Sequence, residues 1–410
     1  MKVLAFSAYY TPEIAASLYL TEDIYKGITD AGHMLEVYVP MPTRGISEET
    51  RREYKKKRTE KKYSGKLTIH RIAMFREGKN SIMRTLRYVL VNLAFIWKGL
   101  KTKADVLFVQ STPPTQGMMA GMIGAIKRIP VIYNLQDIFP DSLVNTGMTS
   151  KGSKIWKIGR KIEDYSYRHA SKIIVISDDF KRNIMAKGVP EEKIEVVPNW
   201  ADVSGVYPVE RKDNLLIQRY HLDPDLFYIT YSGNIGFTQN MDLLLEAAKE
   251  ISGQIPQIRF VIIGDGADRE RVEKRVKEEK IDNVIMLPFQ PYEDIAHVFS
   301  LGDAGLIISK PGVGNNSVPS KTWSIMAAGK PVIASFDQDS ELCKLIDRIG
   351  CGRHADAGDQ NGLVEMIRQS FTDRDRKMGK AGIDYIHIYA NKEKCVAKYV
   401  TALEQASHKK

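Results

Sequence analysis

The chain of 410 residues carries 60 Lys and Arg against 50 Asp and Glu, a formal net charge of +10, with 43% hydrophobic and 27% charged side chains. That balance excludes a disordered chain, and the length exceeds one ordinary core of roughly 100–200 residues, so two domains are expected. Three scattered cysteines, Cys343, Cys351 and Cys395, exclude a disulfide framework and lack metal-ligand spacing, which fits a reducing compartment.

The opening MKVLAFSAYY has one Lys and a short β-type run, unlike the long apolar core and small-residue cleavage site of a secretory signal. It reads as a first strand over 3–10 that ends in a polar loop. Helical spacing over 17–31 stops at Gly32, and strands follow at 34–40 and 67–73. Between those strands, 51–62 (RREYKKKRTEKK) holds eight basic and two acidic residues, which reads either as a patch for an anionic surface or as a solvated, mobile loop.

Residues 79–103 add six basic side chains and no acid, with Arg84, Arg87, Lys98 and Lys101 interleaved among Met83, Leu86, Leu93 and Trp97. The apolar run 88–97 contains Asn92 and is far shorter than the roughly 18 residues a spanning helix needs. Basic and apolar residues together suit the surface of an anionic leaflet. The alternative is a helix that buries its apolar side on a sheet and leaves its charges in water. Nucleic acid is not the expected partner, because no recognised nucleic-acid motif accompanies the charge.

Further strands are expected at 104–111, 131–135, 172–177 and 194–199. A second series runs through a strand at 227–233, a helix at 240–252, a strand at 259–266, a charged helix at 268–279, and strands at 284–289, 304–309 and 331–335. Continuous apolar strands separated by helices argue for parallel sheets covered on both faces. The fold class is therefore α/β, with two Rossmann-like, doubly wound domains over 1–203 and 204–383 facing a central cleft. The hinge is expected near 201–208, and a final helix at 384–405 is expected to return to the first domain.

Ligand sites of such sheets lie outside the carboxyl ends of the strands. Two stretches stand out there. In YSGNIGFTQNMDLLLEAA (231–248) a strand ends in Gly233, Asn234, Ile235 and Gly236, and a helix follows. Glycines let backbone N–H groups approach an anion, and Asn234 and Gln239 are candidate donors to phosphate. The alternative is an ordinary Gly-bearing turn. In SKPGVGNNSVPSKTWSIMAAGKPVIAS (309–335), Ser320 is a candidate cap for the helix that begins there, with Lys321 as counter-charge to a phosphate. The alternative for Lys321 is a solvated surface residue.

These stretches, together with VVPNWAD (196–202), YYTPEIAAS and NLQDIFPDSL (134–143), resemble the family 4 GT-B glycosyltransferases, in particular the WbuB-like group of polysaccharide-assembly enzymes. The resemblance spans almost the full chain. It implies a nucleoside-diphosphate sugar donor held mainly by the C-terminal domain, retention of anomeric configuration and no obligatory metal or other cofactor, with UDP favoured by family frequency alone. It further implies a lipid-linked, undecaprenyl-type acceptor and a place at the cytoplasmic face of the membrane. Gly233, Asn234 and Gly236 match the family's diphosphate-facing loop, and Lys321 its Pro-Ser-Lys phosphate contact. Pro12 and Glu13 match the N-terminal cleft loop, and Asn199 matches the interdomain Pro-Asn segment. Glu13 and Asp137 are candidates for acceptor positioning or base catalysis, or equally for helix-capping carboxylates.

The chain departs from the family at several points. Where many members carry two Glu eight positions apart, it has Asn316 and Ser324, which leaves Glu341 as the candidate for the ribose hydroxyls. Asn234 replaces a basic residue, Ala15 and Ala16 a paired glycine, and Gln136 a cleft His. The Asp-x-Asp at Asp223 and Asp225 reads as a turn, not a metal holder. No Gly-x-Ser-x-Gly, phosphate-loop or zinc spacing supports hydrolysis. The rival readings are an epimerase or phosphorylase of the same architecture, and a non-catalytic sugar-nucleotide-binding protein.

Overall fold

The computed structural model describes residues 1–13, 18–76, 81–145, 149–200, 203–313, 318–374 and 376–408; the side chains of 81, 82, 84, 85 and 145 lie outside that description. The chain divides into two compact units, Met1–Asn199 with Glu393–Lys410, and Trp200–Lys392. Each is built on its own sheet.

Among the described residues the sheet of the first unit has eight strands: β1 (Lys2–Phe6), β2 (Met34–Pro40), β3 (Thr59–Lys62), β4 (Leu67–Ile72), β5 (Val106–Gln110), β6 (Val131–Leu135), β7 (Lys172–Val175) and β8 (Ile194–Val196). Their order is β3-β4-β2-β1-β5-β6-β7-β8. All neighbours are parallel except the edge pair β3–β4. β1, β5 and β6 are apolar on both faces because helices cover both, and Val3, Leu4, Val106, Leu107 and Ile132 are fully buried.

Among its described residues the second unit has six parallel strands, β9 (Phe227–Ser232), β10 (Ile258–Ile263), β11 (Val284–Leu287), β12 (Ala304–Ile308), β13 (Val332–Ser335) and β14 (Gly352–Ala355), in the order β11-β10-β9-β12-β13-β14. All six residues of β9 are buried, as its central place requires. The chain turns back on itself at β1/β5 in the first sheet and at β9/β12 in the second, and a ligand crevice belongs at such switch points.

Three expectations change. Residues 51–62 are not a free loop: the helix Glu48–Lys56 carries the first half, with Ser47 accepting from the Thr50 amide, and β3 carries the second. The edge strand is held by Lys62, which reaches Glu22 at 3.0 Å. The last helical stretch is two helices, Arg376–Ile388 and Lys392–His408, and only the second belongs to the first unit. β14 is a strand that alternation did not reveal, because GRHA carries too little apolar signal.

Candidate functional site

At the carboxyl edge of the second sheet, the loops after β9 and β10 run side by side. The Gly233 amide donates to the Ile263 carbonyl at 2.9 Å, the Ile235 amide to the Asp265 carbonyl at 2.8 Å, and the Asp268 amide to the Ile235 carbonyl at 3.0 Å. Contact this close excludes side chains. A Cβ on Gly264 would stand 1.9 Å from the Gly233 oxygen, and one on Gly266 would stand 2.3 Å from that of Ile235. The sequence Gly264-Asp265-Gly266 is therefore the packing partner of the Gly233 loop, a role invisible in a lone Gly-x-Gly.

This pairing corrects the expectation of a loop whose amides are free for an anion. The Gly236 amide is also engaged, donating to Gln239 Oε1 at 3.1 Å, and Asn234 Nδ2 reaches the same oxygen at 3.4 Å. Gln239 thus closes the loop with its oxygen, and Asn234 remains at the surface.

What faces the loop is Lys321, the first residue of the helix Lys321–Ala327. Its Nζ lies 3.8 Å from the centroid of the Tyr231 ring. A Cβ on Gly233, whose φ is +135°, would meet that Nζ at 3.3 Å. Tyr231 is buried, and its hydroxyl donates to the Asn234 carbonyl at 2.5 Å, so the ring is fixed at both ends. The negative face of a fixed ring holds a cation without neutralising it. Part of Lys321 still reaches solvent by surface area, yet protein crowds its ammonium closely, and that desolvation lowers its pKa to about 7. Three buried hydroxyls, of Ser232 at the end of β9, Ser309 just after β12 and Thr322 in the same helix as Lys321, have no hydrogen-bond partner among the described residues.

Ser320 occupies the N-cap position but its side chain makes no capping hydrogen bond, which corrects the expected cap. Glu341 opens the helix Glu341–Ile349 after β13, is nearly buried, and approaches Arg348 at 3.9 Å. The Asp223 carboxylate accepts from the Asp225 amide at 2.9 Å, the geometry of a turn. Asn316 lies outside the described residues, as do Ala15 and Ala16.

At the carboxyl edge of the first sheet the carboxylates divide. Glu13, in the loop after β1, is buried; its Oε1 accepts from the amides of Thr43 at 2.8 Å and Arg44 at 3.1 Å, and its Oε2 from the amide of Tyr10 at 3.3 Å. It fastens two loops, and Arg71 adds a bond to the Thr11 carbonyl at 2.6 Å beside the partly buried Pro12. Asp137, after β6, is exposed, while its amide and that of Gln136 both donate to Ser111 Oγ, at 3.1 and 3.0 Å. Crowding by nearby protein, with Asp141 as a lesser neighbour, raises its carboxyl pKa, against hydrogen bonds from Ser142 and the Ile138 amide. Asn199 donates to Gln136 Oε1 at 3.0 Å, Gln136 to Asn134 Oδ1 at 2.9 Å, and Tyr399 of the last helix to the same Asn134 oxygen at 3.1 Å.

On the helix Ser81–Lys101, Val91 and Phe95 are buried, whereas Met83, Leu86, Val89, Leu90, Leu93, Trp97 and Leu100 are exposed. Trp97, at 52% exposure, is flanked by Lys98 and Lys101, whose Nζ atoms lie 4.6 and 4.3 Å from its ring centroid. Arg87 is not a surface cation. It is 2% exposed and donates to the carbonyls of Phe75 at 2.9 Å and Met41 at 3.3 Å. The Arg84 side chain lies outside the description. No helix among the described residues is long and apolar enough to cross a membrane.

Comparison with known proteins fixes the family. Residues 213–384 match Glycosyl transferases group 1, and residues 19–200 match the Glycosyl transferase 4-like domain. The chain belongs to the family 4 GT-B glycosyltransferases. Among relatives of this transferase, WcaI of Escherichia coli (strain K12), provisionally named a colanic acid biosynthesis glycosyl transferase, is 25% identical over 90% of this chain and 92% of its own. The alpha-monoglucosyldiacylglycerol synthase of Acholeplasma laidlawii is 21% identical over 82% of this chain and 81% of its own. The crystal structure of Anabaena Alr3699/HepE in complex with UDP superposes with a TM-score of 0.74 at 14% identity, covering 99% of this chain and 100% of that one. The transferase thus has the GT-B fold expected from its sequence.

Proposed function

We propose that this glycosyltransferase takes a hexosyl or N-acetylhexosaminyl group from a nucleoside-diphosphate sugar, UDP-linked by preference, and transfers it with retention to a lipid-linked saccharide in bacterial surface polysaccharide assembly. The observation that carries the reading is Lys321, an ammonium without a carboxylate partner among the described residues, held over Tyr231 at the β9/β12 switch point. Departure of a nucleoside diphosphate builds negative charge on its terminal phosphate, and a cation fixed in place lowers the cost of that charge. Lys321 supplies it without a metal, and Ser232 at the end of β9, Ser309 just after β12 and Thr322 in the helix that Lys321 opens carry buried hydroxyls without a partner among the described residues. Support for the donor comes from the UDP complex of HepE. Glu341 is proposed to contact the ribose, and Asp137, the freer of the two carboxylates, to position the acceptor or take its proton; Glu13 shapes the loop beside Pro12. Asn199 acts through Gln136.

The acceptor reading rests on the exposed stripe of the helix Ser81–Lys101. Its side chains have the apolar area to enter a membrane interface, and Lys98 and Lys101 the charge to prefer an anionic leaflet, each adding about 1 kcal/mol. A named biosynthetic relative and a relative named for a diacylglycerol product point the same way. The transferase is then peripheral, on the cytoplasmic leaflet. Thermal shift with UDP-, GDP- and dTDP-sugars identifies the donor, because a ligand of the native state raises its stability. Product assays with a lipid-diphosphate saccharide and NMR of the new anomeric centre test the rest. Donor binding without transfer or rearrangement of a sugar overturns the proposal.

A further inference from the structure

The second unit has a cavity of about 550 Å³ at the opposite, amino edge of its sheet. Its floor is formed where Phe227, Ala304 and Pro331 lead into β9, β12 and β13, and its rim carries Arg211, Lys330, Arg353, Arg374, Arg376 and Lys380. Three of these cations are neutralised. Arg211 meets Asp303 at 2.6 Å, Lys380 meets Asp384 at 3.4 Å, and Arg353 is paired with Asp373. Lys330, Arg374 and Arg376 have no carboxylate partner among the described residues; Asp375, between two of them in sequence, lies outside that description. Elsewhere in the unit Arg271 meets Asp242 and Asp268, and Arg275 meets Asp242 and Glu279.

The walls are built to hold their shape. A Cβ on Gly379 would stand 2.1 Å from the Gly329 oxygen, so the helix Arg376–Ile388 is seated directly on the turn that presents Lys330. The Arg374 guanidinium lies over the rings of Phe227 and Phe371, at 5.5 and 5.4 Å from their centroids. Stacking of that kind leaves its N–H groups unspent for an anion. Burial lowers the pKa of the Lys330 ammonium, with Arg211 and Arg376 acting the same way and the nearby carboxylates of Asp303 and Glu210 opposing it.

We propose that this cavity is a second anion site, which takes a small phosphate-bearing molecule through Lys330, Arg374 and Arg376. Planar guanidinium groups match phosphate oxygens in pairs, and the volume suits a sugar phosphate or a mononucleotide, not a polymer. The site is independent of the donor reading: Lys321 opens the helix Lys321–Ala327, and Lys330 follows its other end.

The test is calorimetric titration of the full chain with inorganic phosphate and with glucose 6-phosphate, in the native protein and in Lys321→Ala. Saturable binding of either probe is expected. It should persist within about twofold in Lys321→Ala and weaken at least about tenfold in Arg374→Gln/Arg376→Gln, each lost contact being charge-assisted. Tighter binding of the sugar phosphate assigns an ester as the ligand, and equal binding assigns free phosphate. The proposal is overturned by no binding up to ~10 mM, a weak limit on any affinity scale, by binding that survives the double variant, or by binding lost in Lys321→Ala alone. Lys330→Gln, with matched circular-dichroism melts, repeats the test should the double variant fold poorly.

Discussion

The carboxyl edges of the two sheets are built from similar loops but differ in how their polar groups are used. In the first unit Glu13 accepts from three amides, and hydrogen bonds link Asn199, Gln136, Asn134 and Tyr399, although the buried Asn199 side-chain oxygen has no partner among the described residues. In the second unit the amides of Gly233, Ile235 and Gly236 are likewise consumed, yet Lys321 stands over a ring with a depressed pKa, and three hydroxyls have no partner among the described residues. Saturated groups hold loops in place, whereas unsatisfied buried groups carry a cost that a ligand can relieve. The contrast repeats at single residues, between buried Glu13 and exposed Asp137, and between Arg87, bonded to two carbonyls, and Lys321, with no carboxylate partner among the described residues.

The strongest way to break this comparison is Lys321→Ala. Loss of a charge-assisted phosphate contact of about 1.5–3 kcal/mol should raise the donor-nucleotide Kd by roughly 10- to 150-fold while the melting temperature holds. Calorimetry on the folded variant decides it, and unchanged affinity removes Lys321 from the site. Gly233→Val should do comparable damage, since its side chain would need the φ of +135° and the space of the Lys321 ammonium.

The pH dependence sharpens the point. Lys321 titrates at about 7 instead of the ordinary 10.5, and a bound phosphate favours its charged form. Donor affinity should therefore be full below about pH 7 and fall by up to tenfold per unit above it, until the pKa of the complex is reached. Stability of the free protein runs the other way: between about 7 and 10.5 the unfolded chain binds a proton that the native state does not, so this residue's contribution improves as pH rises through that window. Lys321→Arg, always charged, should flatten the affinity profile. A profile equally steep in that variant refutes the assignment.

Within the first unit, Glu13→Ala should lower stability by about 1–3 kcal/mol, because three amides lose their acceptor, whereas Asp137→Asn should leave the melting temperature nearly unchanged and reduce kcat. Urea unfolding beside steady-state kinetics separates the two, and a reversed pattern would exchange their roles. The smallest effect expected is at the exposed stripe. Lys98→Glu/Lys101→Glu should shift stability by no more than about 0.5 kcal/mol yet weaken co-sedimentation with anionic vesicles, an effect that high salt should mimic. Indifference to lipid charge would count against membrane docking. Arg87 is unsuitable for that test, since its reversal would bury an unpaired acid.

Much of this protein was legible from its sequence. Apolar runs such as those of β5, β6 and β9 specify buried parallel strands, because a strand covered on both faces has no polar side to show. The glycines at 233 and 236, and the Pro-Ser-Lys that delivers Lys321, marked one stretch of the chemistry, since turns and close approaches restrict residue type more than helices do. Tertiary structure alone decided which polar groups are used up. Whether Glu13 accepts from the loop amides, whether Arg87 faces carbonyls or solvent, that Gly264 packs against the neighbouring loop, and that Tyr231 lies beneath Lys321 all depend on residues distant in the chain. Periodicity records which face of an element is apolar; hydrogen-bond satisfaction is settled only when the loops of separate strands meet.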